Sequence, residues 1–120
     1  MNLEVSTPII RFNLSTTLTN LNGDMDLLQA IACIFHEDIP AILLALQEAC
    51  ARDDHNQVRH FAHIIKGMAS NFHAEPLTTL ARKLESNRDF LTVSERQELV
   101  FSIVSVGELT IAELKKEMDK

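Results

Sequence analysis

The sequence predicts an all-α protein, an antiparallel four-helix bundle preceded by an N-terminal extension or short extra helix. Its 120 residues include only three Gly and three Pro, and six Phe with no Trp or Tyr, so turn punctuators and aromatic strand formers are both scarce. Apolar residues recur at steps of three and four along successive segments, the spacing of one helix face. A composition of 46% hydrophobic and 23% charged residues suits one compact domain, with room to bury about two thirds of its unfolded-chain surface. Amphipathic helices joined by short loops can bury such stripes only against one another.

Residues 1–22 read as the extension: they are rich in Thr, Asn and Ser, and Leu14, Leu18 and Leu21 have the spacing of one short helix. The bundle itself is expected over residues 23–120. From Asp24 onward, Leu28, Ile31, Phe35, Ile39, Ile42, Leu46 and Cys50 form an apolar stripe with Leu43 beside it. Pro40 interrupts the stripe, removing a backbone hydrogen bond at a cost of roughly 3 kcal/mol. The unbroken phase across it favours one kinked helix over two. After the polar break Arg52-Asp53-Asp54-His55, Asp54 with Gln57 has the form of a capping box. The helix it opens places Val58, Phe61, Ala62, Ile65, Met68, Ala69 and Phe72 on one side. Glu75-Pro76 starts a shorter helix carrying Leu77, Leu80, Ala81 and Leu84 and ending near Asn87. Ser94 with Gln97 is a second candidate box. It would open a final helix of about seven turns marked by Val100, Val104, Gly107, Ile111, Leu114 and Met118.

Eleven Lys and Arg against 17 Asp and Glu give a formal net charge of −6, which repels a phosphate backbone and argues against general nucleic-acid binding. Cys33 and Cys50 lie in apolar stretches without a C-x-x-C spacing, so they are expected to be buried thiols of a reducing compartment. The opening MNLEVSTPIIRF has too short an apolar patch for a signal peptide, and the nonpolar run from Ile39 to Leu46 is too short for a bilayer. A cytoplasmic protein with no membrane partner is expected.

Stepping the helix from His55 to Phe72 at about 100° per residue gathers Arg59, His63, Lys66, Gly67 and Ser70 opposite the apolar face, with His63 near the middle. No acidic residue occurs between His55 and Ala74, where Arg59 and Lys66 stand among four histidines. Such a face tolerates a group that adds about −1.5 to −2 charge, as a phosphoryl does. Lys66 could neutralise part of it as a compact donor. Gly67 costs a helix interior about 1 kcal/mol relative to Ala and clears space beside His63 for an approaching backbone.

Ala62-His63-Ile64-Ile65-Lys66-Gly67, followed by Ala69, Phe72 and Ala74, resembles the signature of histidine-containing phosphotransfer (HPt) domains of bacterial phosphorelays. Gly23-Asp24, Leu27-Leu28, Phe35 and Pro40, then Ala49 and Asp53, stand in the family's order before the histidine helix, and Leu84-Glu85 closes the next one. The resemblance covers roughly residues 23 to 86. It implies that His63 accepts a phosphoryl group from a receiver-domain aspartate and passes it to another response-regulator receiver. It also implies that Lys66 stabilises the phosphoimidazole and that Arg59, His60, Gly67 and Ser70 lie on the docking rim. A hybrid sensor histidine kinase is the implied upstream partner, and a monomer the implied state. The chain would need no cofactor of its own, since Mg²⁺ and the acidic pocket belong to the receiver; its part would be alignment and charge stabilisation. The sequence departs from the family at His73, where Gly is usual, and at Met68, where Ser or Ala is common.

Other readings of the same residues are weaker. A kinase dimerisation domain usually has an acid after the histidine, where this chain has Ile64, and no Gly-rich nucleotide loop is present, so an ATP-using enzyme is not expected. His60 and His63, with His55 and His73 near the helix ends, project over a wide arc and lack an H-E-x-x-H pattern, so no metal site is expected. His36 reads as a solvated surface residue. The alternative function is a bundle that binds and regulates a receiver or kinase domain without transferring phosphate.

Overall fold

The computed structural model describes residues 12–87 and 90–119, which form helices α1 (Leu14–Asn20), α2 (Met25–Ala51), α3 (His55–Ser70), α4 (Glu75–Asn87) and α5 (Val93–Met118). Short polar side chains start α1, α2, α3 and α5. Asn13, Asp24 and Asp54 each accept a hydrogen bond from the backbone N–H three residues on, at Thr16, Leu27 and Gln57. The reciprocal box of α5 is built by Thr92 and Glu95, two residues before the expected Ser94 and Gln97. Thr92 is the residue in extended conformation, and the Glu95 carboxylate accepts its N–H at 2.9 Å, which leaves Ser94 inside the first turn.

Three turns reverse the chain by one device. Asn22, Asp53 and His73 take left-handed φ values of 56°, 57° and 53°. The next residue's N–H then returns to a carbonyl of the preceding helix: Gly23 to Leu18, Asp54 to Ala49 and Ala74 to Ala69, at 2.9, 2.9 and 3.1 Å. Asn and Asp tolerate this conformation through their short polar side chains. His73 adopts it as well.

α2 runs unbroken through Pro40. Its buried stripe is Leu28, Ala32, Phe35, Ile39, Leu43, Leu46 and Ala49, rotated from the one expected, so that Ile31, Ile42 and Cys50 flank it half-buried. Ala32 and Ala49 are both buried in this stripe, on a helix where hydrophobicity alone favours the larger Ile31, Ile42 and Cys50. Neither cysteine is a core thiol: Cys50 is half-buried and Cys33 is exposed, its thiol donating to Glu37 Oε1 at 3.4 Å, a contact that raises its pKa. By length and composition α2 could cross a bilayer. In the bundle its core stripe is covered, and His36, Glu37 and Asp38 are exposed near its middle.

The four long helices form a ring in which α2 and α4 each pack beside both α3 and α5. The core they enclose includes Phe35 and Phe72, edge to face with centroids 5.3 Å apart. Each such ring fully buried contributes about 1.5–3 kcal/mol. Gly107 brings α5 against α2, since a Cβ there would lie 2.9 Å from Leu43 Cδ1. Buried Arg96 ties the α5 start to the α2–α3 turn, donating to Asp53 Oδ1 at 3.1 Å and to the Leu91 carbonyl at 3.2 Å.

Of the extension expected over residues 1–22, residues 1–11 lie outside the described residues. α1 follows them and caps the α3–α4 turn: the Asn13 N–H donates to the Phe72 carbonyl at 2.7 Å, and the Asn20 amide to His73 Nε2 at 3.1 Å. Thr17, buried between them, places its hydroxyl 3.1 Å from the Asn71 carbonyl. Carbonyls left open at the end of α3 thereby gain donors.

Candidate functional site

α3 turns one side to the core through Val58, Ala62, Ile65 and Ala69, and this fixes where its other residues stand. His63 follows Ala62 and is 65% exposed in its side chain. One turn later Lys66 is partly covered and Gly67 is open, with nothing within 4 Å of where a Cβ would be. Ser70 is exposed, its hydroxyl donating back to the Gly67 carbonyl at 2.9 Å. On the N-terminal side, exposed Arg59 and His60 share a surface groove of about 370 Å³ with Asn56, His63 and Glu85.

Glu85, near the end of α4, joins the site although the pattern along α3 does not point to it. One of its carboxylate oxygens accepts from His63 Nδ1 at 2.8 Å and the other from Lys66 Nζ at 2.6 Å. Residues on α3 without any acid between His55 and Ala74 thus meet their counter-ion across the α3–α4 interface. The packing of Ala81 and Leu84 into the core holds that stretch of α4 in register, and Glu85 follows directly. Its place was visible only as the second member of the Leu84-Glu85 pair. Spacing along one helix cannot show a partner 22 residues away on another.

The electrostatics follow from this geometry. The hydrogen bond from Lys66 is the strongest influence on the Glu85 carboxyl and, with the bond from His63 and both nearby charges, holds its pKa below the usual 4.5 against the opposing effect of burial. Glu85 is 17% exposed in its side chain, so this carboxylate is a partly covered acceptor. An ionised carboxylate only accepts, so the proton shared with His63 belongs on Nδ1. In the neutral ring the lone pair then lies on Nε2, at the edge away from Glu85. A side chain with one nitrogen tethered and the other open can act as an oriented nucleophile.

The other histidines on and beside α3 make different contacts. His55 Nε2 lies 3.1 Å from Asp53 Oδ1 at the start of α3, His73 faces Asn20, and His60 tilts against Phe61. Among the described residues no three His, Cys, Asp or Glu side chains gather in a group that could hold a metal ion.

No curated protein and no solved structure matches the chain. A family model, that of the Hpt domain, matches residues 30–119, three quarters of the sequence and every helix that frames His63. The chain belongs to the Hpt domain family, phosphocarrier modules of two-component signalling.

Proposed function

We propose that the protein is a phosphorelay intermediate in which His63 takes a phosphoryl group from a receiver-domain aspartate and gives it to another response-regulator receiver. The observation that carries this reading is the placement of His63: its side chain is exposed and its Nδ1 is bound to Glu85 at 2.8 Å, which leaves Nε2 as the nitrogen that can react.

In the transfer, the Nε2 lone pair attacks the phosphorus of the aspartyl phosphate. The new N–P bond forms as the P–O bond to the aspartate breaks, and the aspartate leaves as a carboxylate with the bonding electrons. No proton has to depart, because Nδ1 keeps its hydrogen. The ring becomes an imidazolium whose positive charge faces the Glu85 carboxylate. The same charge makes the imidazole a good leaving group in the onward step. Lys66 secures Glu85 and adds positive charge one turn from the reacting nitrogen. Such a transfer depends chiefly on alignment and charge.

Arg59, His60, Gly67 and Ser70 form the rim on which a receiver docks, with open Gly67 admitting its backbone. Mg²⁺ enters with the receiver. A hybrid sensor histidine kinase stands upstream, and the protein works in the cytoplasm as a monomer, with residues 23–120 as the transfer unit and residues 1–22 as an extension.

The test is intact-mass analysis after mixing with a panel of phosphorylated receiver domains and Mg²⁺, with His63→Gln in parallel. An adduct that is acid-labile, alkali-stable and absent from a folded His63→Gln variant is the expected result. Receiver binding without any adduct would replace transfer by the alternative, a module that regulates a receiver or kinase by binding.

A further inference from the structure

Resting on the proposal that His63 carries a phosphoryl group, we infer that this group is held by Arg59, in the groove it shares with Asn56 and His60, and that Lys66 stays with Glu85. The two oxygens of Glu85 are each engaged, one by His63 Nδ1 and the other by Lys66 Nζ, at 2.8 and 2.6 Å. The ammonium of Lys66 therefore sits with the carboxylate on the Nδ1 side of the ring, and Nε2 points to the other side. Moving Lys66 to the phosphoryl would strip Glu85 of a counter-ion just as a dianion arrives nearby. Like charges repel, so that exchange is opposed from both ends.

Arg59 carries no such commitment: it makes no ion pair or hydrogen bond with another described residue. It lies four residues before His63, one turn away on the same side of α3, where side-chain origins are about 5–6 Å apart. Its side chain is exposed and lines the 370 Å³ groove together with His63. A guanidinium offers two parallel donors to phosphate oxygens, a geometry that an ammonium cannot match. The groove has room for the phosphoryl, and its acid, Glu85, is already bonded by two cationic or donor side chains. Arg59 is thus a binding residue for the carried group, and Lys66 a positioning residue that acts through Glu85.

The two roles separate in the ionisation of the phosphoryl itself. His63 is phosphorylated with phosphoramidate, the N–P bond to Nε2 forming as ammonia leaves, and the second ionisation is followed by the pH dependence of the ³¹P resonance. A cation in contact favours the dianion and lowers its pKa. Arg59→Gln should raise the midpoint by about half a pH unit or more, and Lys66→Gln should move it less. A midpoint unmoved by Arg59→Gln, or moved more by Lys66→Gln, would overturn the assignment. So would an Arg59→Gln variant that slows loading from receivers while leaving the ³¹P titration as in wild type, since Arg59 would then meet the partner's acidic groups. If phosphoramidate places nothing on His63, the phosphocarrier proposal fails. The groove is then tested by titrating inorganic phosphate against the Arg59 side-chain ¹⁵N signal: a saturable shift lost in Arg59→Gln retains an anion subsite, and no shift removes it.

Discussion

Replacing Glu85 by Gln removes the charge behind the His63 ring and, with it, the second oxygen that accepts from Lys66. Glutamine keeps the length of the side chain and an oxygen to accept from His63 Nδ1, but it brings no charge. The 2.8 Å bond can survive while the field behind the ring disappears. During transfer the imidazole gains close to one positive charge. A carboxylate at about 4 Å stabilises such a charge by ~1 kcal/mol in water and ~4 kcal/mol at an effective dielectric of 20. His63 is 65% exposed and Glu85 17%, so the appropriate value lies in the lower part of that interval, about 1–2 kcal/mol, or roughly 5- to 30-fold in rate. The assay is single-turnover loading from a phosphorylated receiver, with the dissociation constant of the complex measured beside it. The expected result is slower loading at unchanged affinity in a folded protein. Equal rates for wild type and Glu85→Gln would refute the electrostatic role, and a rate loss matched by weaker binding would transfer Glu85 to the docking surface. The pH dependence has a defined sign. Because the Glu85 pKa is lower folded than unfolded, its contribution to stability is complete above the ordinary value of 4.5 and is lost as pH falls through the lowered one. The variant should lack that part of the acid-side loss.

Other substitutions test the framework. Gly67→Ala meets nothing within 4 Å and should raise stability by about 0.5–1 kcal/mol in a thermal melt while slowing loading from receivers; a gain in stability with no slowing would remove Gly67 from the docking rim. Arg96→Ala takes donors from Asp53 and the Leu91 carbonyl and should cost about 1–3 kcal/mol in urea unfolding. At His73, held at φ 53°, Val should be less stable than Gly by at least ~1 kcal/mol, since a β-branched side chain is the poorest occupant of that region. Equal stabilities there would show that the turn relaxes without the left-handed residue.

Local signals in the sequence were the most legible. Capping by Asp54 and the 3.6-residue stripe of α3 both follow from interactions within a few residues, and the stripe places His63 on the side away from the core. The phase of α2 was less legible because Ile31, Ile42 and Cys50 are as hydrophobic as the residues that are buried. What selects Ala32 and Ala49 for burial is which side of α2 the neighbouring helices cover, a property of the assembled bundle. Cys33 was misplaced for the same reason: it lies in an apolar run but on the outer face of the helix. The box at the start of α5 was displaced by two residues because Ser94-Gln97 and Thr92-Glu95 both fit the pattern. A carboxylate in place of an amide at the third helical position, where the positive end of the helix dipole favours negative charge, favours the earlier frame.

Glu85 marks where reading one helix at a time stops. Its partners His63 and Lys66 lie on α3, and no periodicity links them to α4. The contact exists because Ile65 and Ala69 on one helix, and Ala81 and Leu84 on the other, are buried in a common core. The tautomer of His63, and with it the availability of Nε2, therefore depends on apolar packing on the opposite side of both helices. A cavity made at Leu84 should loosen the hold of Glu85 on Nδ1 without touching any polar group. Leu84→Ala removes a fully buried side chain at a cost of about 2–5 kcal/mol. In the fraction that stays folded at low temperature, it should also slow loading towards the rate of Glu85→Gln. A variant destabilised to that degree but loading at the wild-type rate would show that Glu85 finds His63 without help from the core.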